Sequence, residues 1–211
     1  GSFAPIKDFA SDPNTDVATN AVWFLEATAD PRTVPLLLDY LEHPSDEVKI
    51  QAVWALEHLQ GKEGLDALRA KLVEKSVRVR IEAIKSMVKL NDSAGVEALV
   101  MKMSDPDENV RVYALWGLER LNDAASYPAI VRALADHSER VRNDAFMVIK
   151  TLKNQDFLPV LENAIEDTDF PVECRVSAIE LLGSLGEPEA ASFFATFRGN
   201  ADARIRKAIL S

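Results

Sequence analysis

Apolar positions recur along the chain with a helical period nested inside a longer one. Ala21, Ala52, Ala83, Ala114 and Ala145 stand 31 residues apart, Ala178 follows after 33, and Ile209 after another 31. Four residues before each anchor come Val17, Val48, Val79, Val110, Val141, Cys174 and Ile205. One residue after the anchor come Val22, Val53, Ile84, Leu115, Phe146 and Ile179, and four after it Leu25, Leu56, Met87, Leu118, Ile149 and Leu182. Offsets of −4, 0, +1 and +4 form one stripe on an α-helix, and the small anchor admits a close neighbour.

A second, shorter amphipathic segment lies between these helices. It reads Val34 to Leu41, Gly64 to Leu72, Gly95 to Met103, Tyr127 to Leu134, Phe157 to Ile165 and Glu189 to Phe197. Turn residues mark the starts: Asp30-Pro31, Gly61, Asn91-Asp92, Asn122-Asp123, Asn154 and Gly186-Glu187-Pro188. The pattern predicts an all-α solenoid of about six to seven two-helix repeats. One pair cannot bury its own apolar face, so stacking on the next makes it stable. Residues 1–211 are expected to form a single array with partial first and last repeats. Residues 3–10 supply a stub of a short helix, and Ser211 falls partway through a final long one. Gly1-Ser2 has the look of a cloning junction, so a piece of a longer protein is expected.

Composition narrows the partners. The 211 residues carry a formal charge of −10, which opposes nucleic acid and anionic lipid. No apolar run approaches the roughly 18–20 residues that cross a bilayer, so direct membrane contact is not expected. The lone cysteine, Cys174, excludes an internal disulfide, fits a reducing compartment and takes the place of a buried valine. Two extra residues within 166–173 lengthen one loop.

The anchor is embedded in a Val-Arg-x-x-Ala motif: Val79-Arg80-Ile81-Glu82-Ala83, Val110-Arg111-Val112-Tyr113-Ala114 and Val141-Arg142-Asn143-Asp144-Ala145. Cys174-Arg175 and Ile205-Arg206 continue it, Val48-Lys49 softens it, and Val17-Ala18 loses the basic residue. This resembles the HEAT family, in particular its short bacterial branch with bilin-lyase-like repeats. The resemblance implies a right-handed α-α superhelix with the Val-Arg helices on its concave side. It also implies that the motif arginines Arg80, Arg111, Arg142, Arg175 and Arg206 bond acids near the preceding turn, such as Glu74, Asp105, Asp136, Asp169 and Asp202.

The row two residues after the anchor reads Trp23, Trp54, Lys85, Trp116, Met147 and Glu180, and it holds all three tryptophans. The resemblance places it on the concave surface. Three residues further on, Glu26, Glu57 and Glu119 neighbour the tryptophans; Ile50 and Val112 lie one turn before Trp54 and Trp116. These residues predict a partly apolar groove with acidic edges, suited to a partner segment with hydrophobic anchors and basic flanks. The alternative role for the tryptophans is to wedge between helices and stiffen the stack.

Catalytic motifs are sparse. His43, His58 and His137 are the only histidines, and no HExxH, CxxC or Walker-type loop occurs. The His-Glu pairs of deoxyhypusine hydroxylase would precede the anchor, where this chain has Thr19-Asn20, Ile50-Gln51, Ile81-Glu82, Val112-Tyr113, Asn143-Asp144 and Val176-Ser177. The expectation is a non-catalytic adaptor without cofactor or metal that recognises another protein or peptide segment. The alternatives are a bilin lyase or lyase subunit and, behind it, a DNA glycosylase-like protein.

Overall fold

The computed structural model describes residues 4–59, 62–185, 188–197, 199–200 and 202–210. The turn signals at Gly61 and Gly186-Glu187 fall outside them. All regular structure among the described residues is helical, and the chain forms two compact units, residues 1–102 and 103–211.

In the first unit a stub, α1 (Ala4–Lys7), precedes three long helices, α2 (Thr15–Ala27), α4 (Asp46–Leu59) and α6 (Val77–Lys89). The shorter α3 (Val34–Tyr40), α5 (Lys62–Ala70) and α7 (Val96–Lys102) alternate with them. α4 packs against α2 on one side and α6 on the other, and α3 and α5 close the back. The predicted stripe is the core: Val22, Leu25, Val48, Ala52, Val53, Leu56, Val79, Ala83, Ile84 and Met87 are buried. Each buried Val, Leu, Ile or Met among them contributes about 1.5–3 kcal/mol.

The second unit repeats the plan. Its long helices are α8 (Glu108–Leu121), α10 (Glu139–Leu152) and α12 (Val172–Ser184), and α14 (Ala203–Leu210) takes the place of the next one. Its shorter ones are α9 (Tyr127–Arg132), α11 (Leu158–Glu166) and α13 (Pro188–Thr196). α8 packs on α10, α10 on α12, and α12 on α14.

The boundaries follow local chemistry. Asn14, Ser76, Asp107 and Ser138 cap the starts of α2, α6, α8 and α10 through side-chain oxygens that accept backbone N–H groups. Ala29, Asn91, Asn122 and Lys153 end long helices in the left-handed region, at φ 49°, 54°, 49° and 47°. Asx turns then start the return: Asp30, Asp123 and Asn154 accept from Arg32, Ala125 and Asp156 N–H at 3.0, 2.9 and 2.9 Å. Small residues, Thr33, Gly95 and Ser126, are buried where the shorter helix begins. Phe157 takes that place later and stacks on Tyr127 with ring centroids 3.9 Å apart.

Two tethers secure the N-terminal stub. Tyr40 Oη donates to the Ile6 carbonyl at 2.6 Å, and burial pushes its phenol up to about 12. His43 is buried, with Nε2 3.0 Å from the Asp12 carbonyl, while its Nδ1 accepts the Ser45 N–H at 3.0 Å. Those partners define a structural histidine.

The arginine ladder corrects the expected pairing. Arg80 Nη1 donates to the backbone carbonyl of Glu74 at 2.8 Å, Arg111 Nη1 to that of Asp105 at 2.9 Å, and Arg142 Nη1 to that of Asp136 at 2.7 Å. Arg206 bonds the Asn200 carbonyl, and Arg175, beyond the two-residue insertion, bonds that of Ile165 through Nε at 2.7 Å. Carboxylates are engaged in the following repeat instead. Arg111 holds Asp136 through Nε at 2.8 Å and Nη2 at 2.9 Å, and Lys49 meets Glu74 at 3.2 Å. Burial pushes the Glu74 carboxyl up, but the Lys75 N–H and the Lys49 and Lys71 ammonium groups outweigh it and hold it below its ordinary value. The physical reason is reach. A planar guanidinium can close the preceding turn with one nitrogen and grip the next repeat with its opposite edge.

Candidate functional site

The tryptophan row of the first unit sits on three adjacent helices, α2, α4 and α6. Trp23 and Trp54 keep 53% and 38% of their surface exposed although both indoles are anchored. Trp23 Nε1 donates to Gln51 Oε1 at 2.9 Å, and Trp54 Nε1 to Glu82 Oε2 at 3.0 Å. Each bond spans 28 residues, one repeat less three, so each indole reaches from its own helix to the residue before the next anchor. Lys85 Nζ holds the other Glu82 oxygen at 2.8 Å. The rings therefore stiffen the stack and present apolar faces at the same time.

The glutamates of this face are internally engaged. Glu26 pairs with His58, and Glu57 pairs with Lys89 while accepting from Ser86 Oγ at 2.7 Å. Glu57 is only 7% exposed. The expected acidic edges are thus rungs between successive repeats. Trp23, Glu26, Gln51, Trp54, Glu57, His58, Glu82, Lys85 and Lys89 line an open cavity of about 500 Å³.

Ile50 and Val112 do not belong to such a surface. They are 2% and 0% exposed, which corrects their expected place on the groove. Their helices have close neighbours, α2 and α6 beside α4 and α10 beside α8, and a short aliphatic side chain at that position sinks between them. In the second unit Trp116 is 42% exposed and meets Tyr113 edge to face with centroids 5.4 Å apart. Met147 is 55% exposed one helix on, and Glu119 is half-buried. The residue 28 positions after Trp116 is Asp144, one methylene shorter than Glu82, and its buried Oδ2 has no hydrogen-bond partner among the described residues.

Gln51 and Glu82, the acceptors of the indole N–H groups, were not among the expected site residues. The 28-residue offset between a tryptophan and a polar side chain was the available signal. His137 is exposed and near Asp136. Cys174 is buried, and burial pushes its thiol up, as for a core residue. Among the described residues no group of three or more His, Cys, Asp or Glu side chains is placed to hold a metal ion, and no helix is long and apolar enough to cross a membrane.

Stacked helix pairs with a buried apolar stripe and an inter-repeat ladder define an α-helical repeat protein. The HEAT repeats family matches residues 34–103 and 96–173, and the chain belongs to it. No curated protein matches the sequence. Among solved structures, the chain is similar to the complex of CpcE and CpcF of phycocyanin lyase from Nostoc sp. PCC7120. That likeness has 18% identity and a TM-score of 0.56, covering 100% of this chain and 86% of the other. Human deoxyhypusine hydroxylase in complex with glycerol is similar at 15% identity and a TM-score of 0.52, covering 99% of this chain and 93% of that one. The Escherichia coli protein YibA is similar at 18% identity and a TM-score of 0.54, with 98% and 90% covered.

These neighbours correct one expectation. A chain without enzymatic activity was inferred from the repeat fold and the missing motifs, yet two structures with this fold are enzymes, a hydroxylase and a lyase. The fold carries catalysis in those proteins, so it cannot serve as the ground for excluding it. At this level of identity the likeness shows the fold alone.

Proposed function

We propose that this HEAT-repeat chain is a binding scaffold whose tryptophan-bearing face on α2, α4 and α6 receives a segment of a partner protein. The observation that carries the reading is the pair Trp23 and Trp54, tied by their indole N–H groups and still about half exposed. A ring immobilised before binding loses little entropy on contact, and tryptophan is enriched among residues that dominate interface energy. Because Glu57 and Glu82 already have cationic partners and Glu26 is bonded to His58, the face suits an apolar segment with mixed or few charges better than a strongly basic one. The likeness to a lyase solved as a complex of two chains supports a protein partner. Replacing Trp23 and Trp54 together with Ala should weaken a native partner by about 30-fold or more, at about 2 kcal/mol for a truncated hot spot. Circular dichroism should show the helices intact. Equal partner binding by the variant refutes the reading.

A second reading takes the same face as the seat of a linear tetrapyrrole, favoured by the likeness to phycocyanin lyase. It requires a shift in visible absorption when a bilin is added to the protein, lost in the same double variant.

A further inference from the structure

Arg142 stands in α10 where Arg111 stands in α8, and Arg111 shows how this side chain divides its donors. Its Nη1 closes the preceding turn on the Asp105 carbonyl at 2.9 Å. Its Nε and Nη2 straddle the carboxylate of Asp136, 25 residues on, at 2.8 and 2.9 Å. Lys49 and Glu74 make the same rung at the same spacing.

Arg142 repeats only the first half. Nη1 donates to the Asp136 carbonyl at 2.7 Å. The two-residue insertion then breaks the register. Asp167, 25 residues on, and Asp169, in frame with Ala178, are both exposed, and Asp167 Oδ1 accepts the Asp169 N–H at 2.9 Å. Among the described residues the Arg142 guanidinium makes no ion pair. It lines a cavity of about 540 Å³ with Asn143, Phe146, Cys174 and Ser177.

We propose that the Nε–Nη2 edge of Arg142 is a carboxylate-binding subsite, open because the loop after α11 no longer supplies its acid. The ligand is a monocarboxylate, either a free organic acid or an Asp or Glu side chain of a partner. The edge matches two coplanar oxygens, and Phe146 offers an apolar wall to whatever bears them. The cavity size lies within the range of small-molecule sites. Three other acids line it: Asp136 is committed to Arg111, Glu173 to Arg204 at 2.5 Å, and Glu180 is exposed. Their field opposes dianions, so inorganic phosphate is a poor ligand.

The test follows the Arg142 Nε–H signal by ¹⁵N NMR, assigned by its loss in Arg142→Lys. Benzoate, a blocked peptide with one Glu, and inorganic phosphate are titrated separately. The expected result is a saturable shift with benzoate at about millimolar concentration and none with phosphate. A parallel response to the Glu peptide identifies a partner side chain as a fitting source, and response to benzoate alone identifies a free acid. Arg142→Gln should weaken benzoate binding at least tenfold, read by calorimetry. A non-saturating shift, or an equal one with phosphate, overturns the proposal. So does a shift of the Arg142 signal in ligand-free Asp167→Asn or Asp169→Asn, because the loop's own carboxylate would then fill the place.

Discussion

Truncating Asp136 to Ala tests the inter-repeat ladder where it is most committed. Asp136 faces a guanidinium that is 2% exposed and accepts from it twice, at 2.8 and 2.9 Å. Its Oδ1 also accepts the Ser138 N–H at 2.8 Å, ahead of α10. Removing the carboxylate leaves Arg111 buried with two of its five donors unmatched. Breaking a buried pair from one side costs about 3–5 kcal/mol, since the remaining charge stays desolvated. The bonds from Arg111 to the carbonyls of Asp105 and Pro106 and its contact with His137 Nε2 survive, which places the cost near the lower bound, about 3 kcal/mol. Glu74→Ala is the control. Its partners Lys49 and Lys71, at 3.2 and 3.6 Å, are mostly buried but sit on flexible stems that can carry an ammonium to solvent, so a smaller loss of about 1 kcal/mol is expected. Repeat arrays do not have to unfold in one step, so a single denaturation midpoint is not sufficient. Amide hydrogen exchange resolved over α8 and α10, at several urea concentrations, reads the free energy where the contact acts. Equal losses of about 1 kcal/mol or less in both variants would refute the reasoning, since the rung to a fixed guanidinium would then be worth no more than the rung to a flexible ammonium.

Lys153→Gly should raise stability by about 0.5–1 kcal/mol, because φ at Lys153 is 47° and a Cβ is disfavoured there; an unchanged urea midpoint counts against it. Gly95→Ala should cost about 1–3 kcal/mol, since the added Cβ would lie 2.6 Å from Asp92 Oδ2 and against Met87; thermal melts compared with Gly199→Ala, where nothing lies within 4 Å, check this. Tyr40 ionises at about 12 in the folded chain and near 10 when unfolded, so its contribution is complete below pH 10 and is lost as pH rises towards 12. Tyr40→Phe should lose about 1 kcal/mol at neutral pH with the bond to Ile6 and decline less steeply across that window; parallel pH curves would exclude the effect.

The repeat was legible because its cause is local. A stripe at −4, 0, +1 and +4 can be buried only by a helix, and a period of 31 residues can be buried only by stacking. The anchors, the alternation of long and short helices, and the loops at Asn91, Asn122 and Asn154 therefore appear in the residue order. The candidate site was half legible. Its three tryptophans stood out by equivalence, but the spacing of Glu26 and Glu57 from them said nothing of what else those carboxylates would reach. Only stacked helices bring His58 to Glu26 and Lys89 to Glu57, residues 32 positions apart, and turn an acidic rim into paired rungs. The same packing buried Ile50 and Val112, whose angular position on an isolated helix is open. It also turned the arginine ladder forward, from Arg111 to Asp136 in the next repeat. Sequence alone determined which face of each helix must be covered, because hydrophobic burial depends on periodicity. Tertiary structure decided which polar groups satisfy one another, because that depends on distances between helices that no single helix contains.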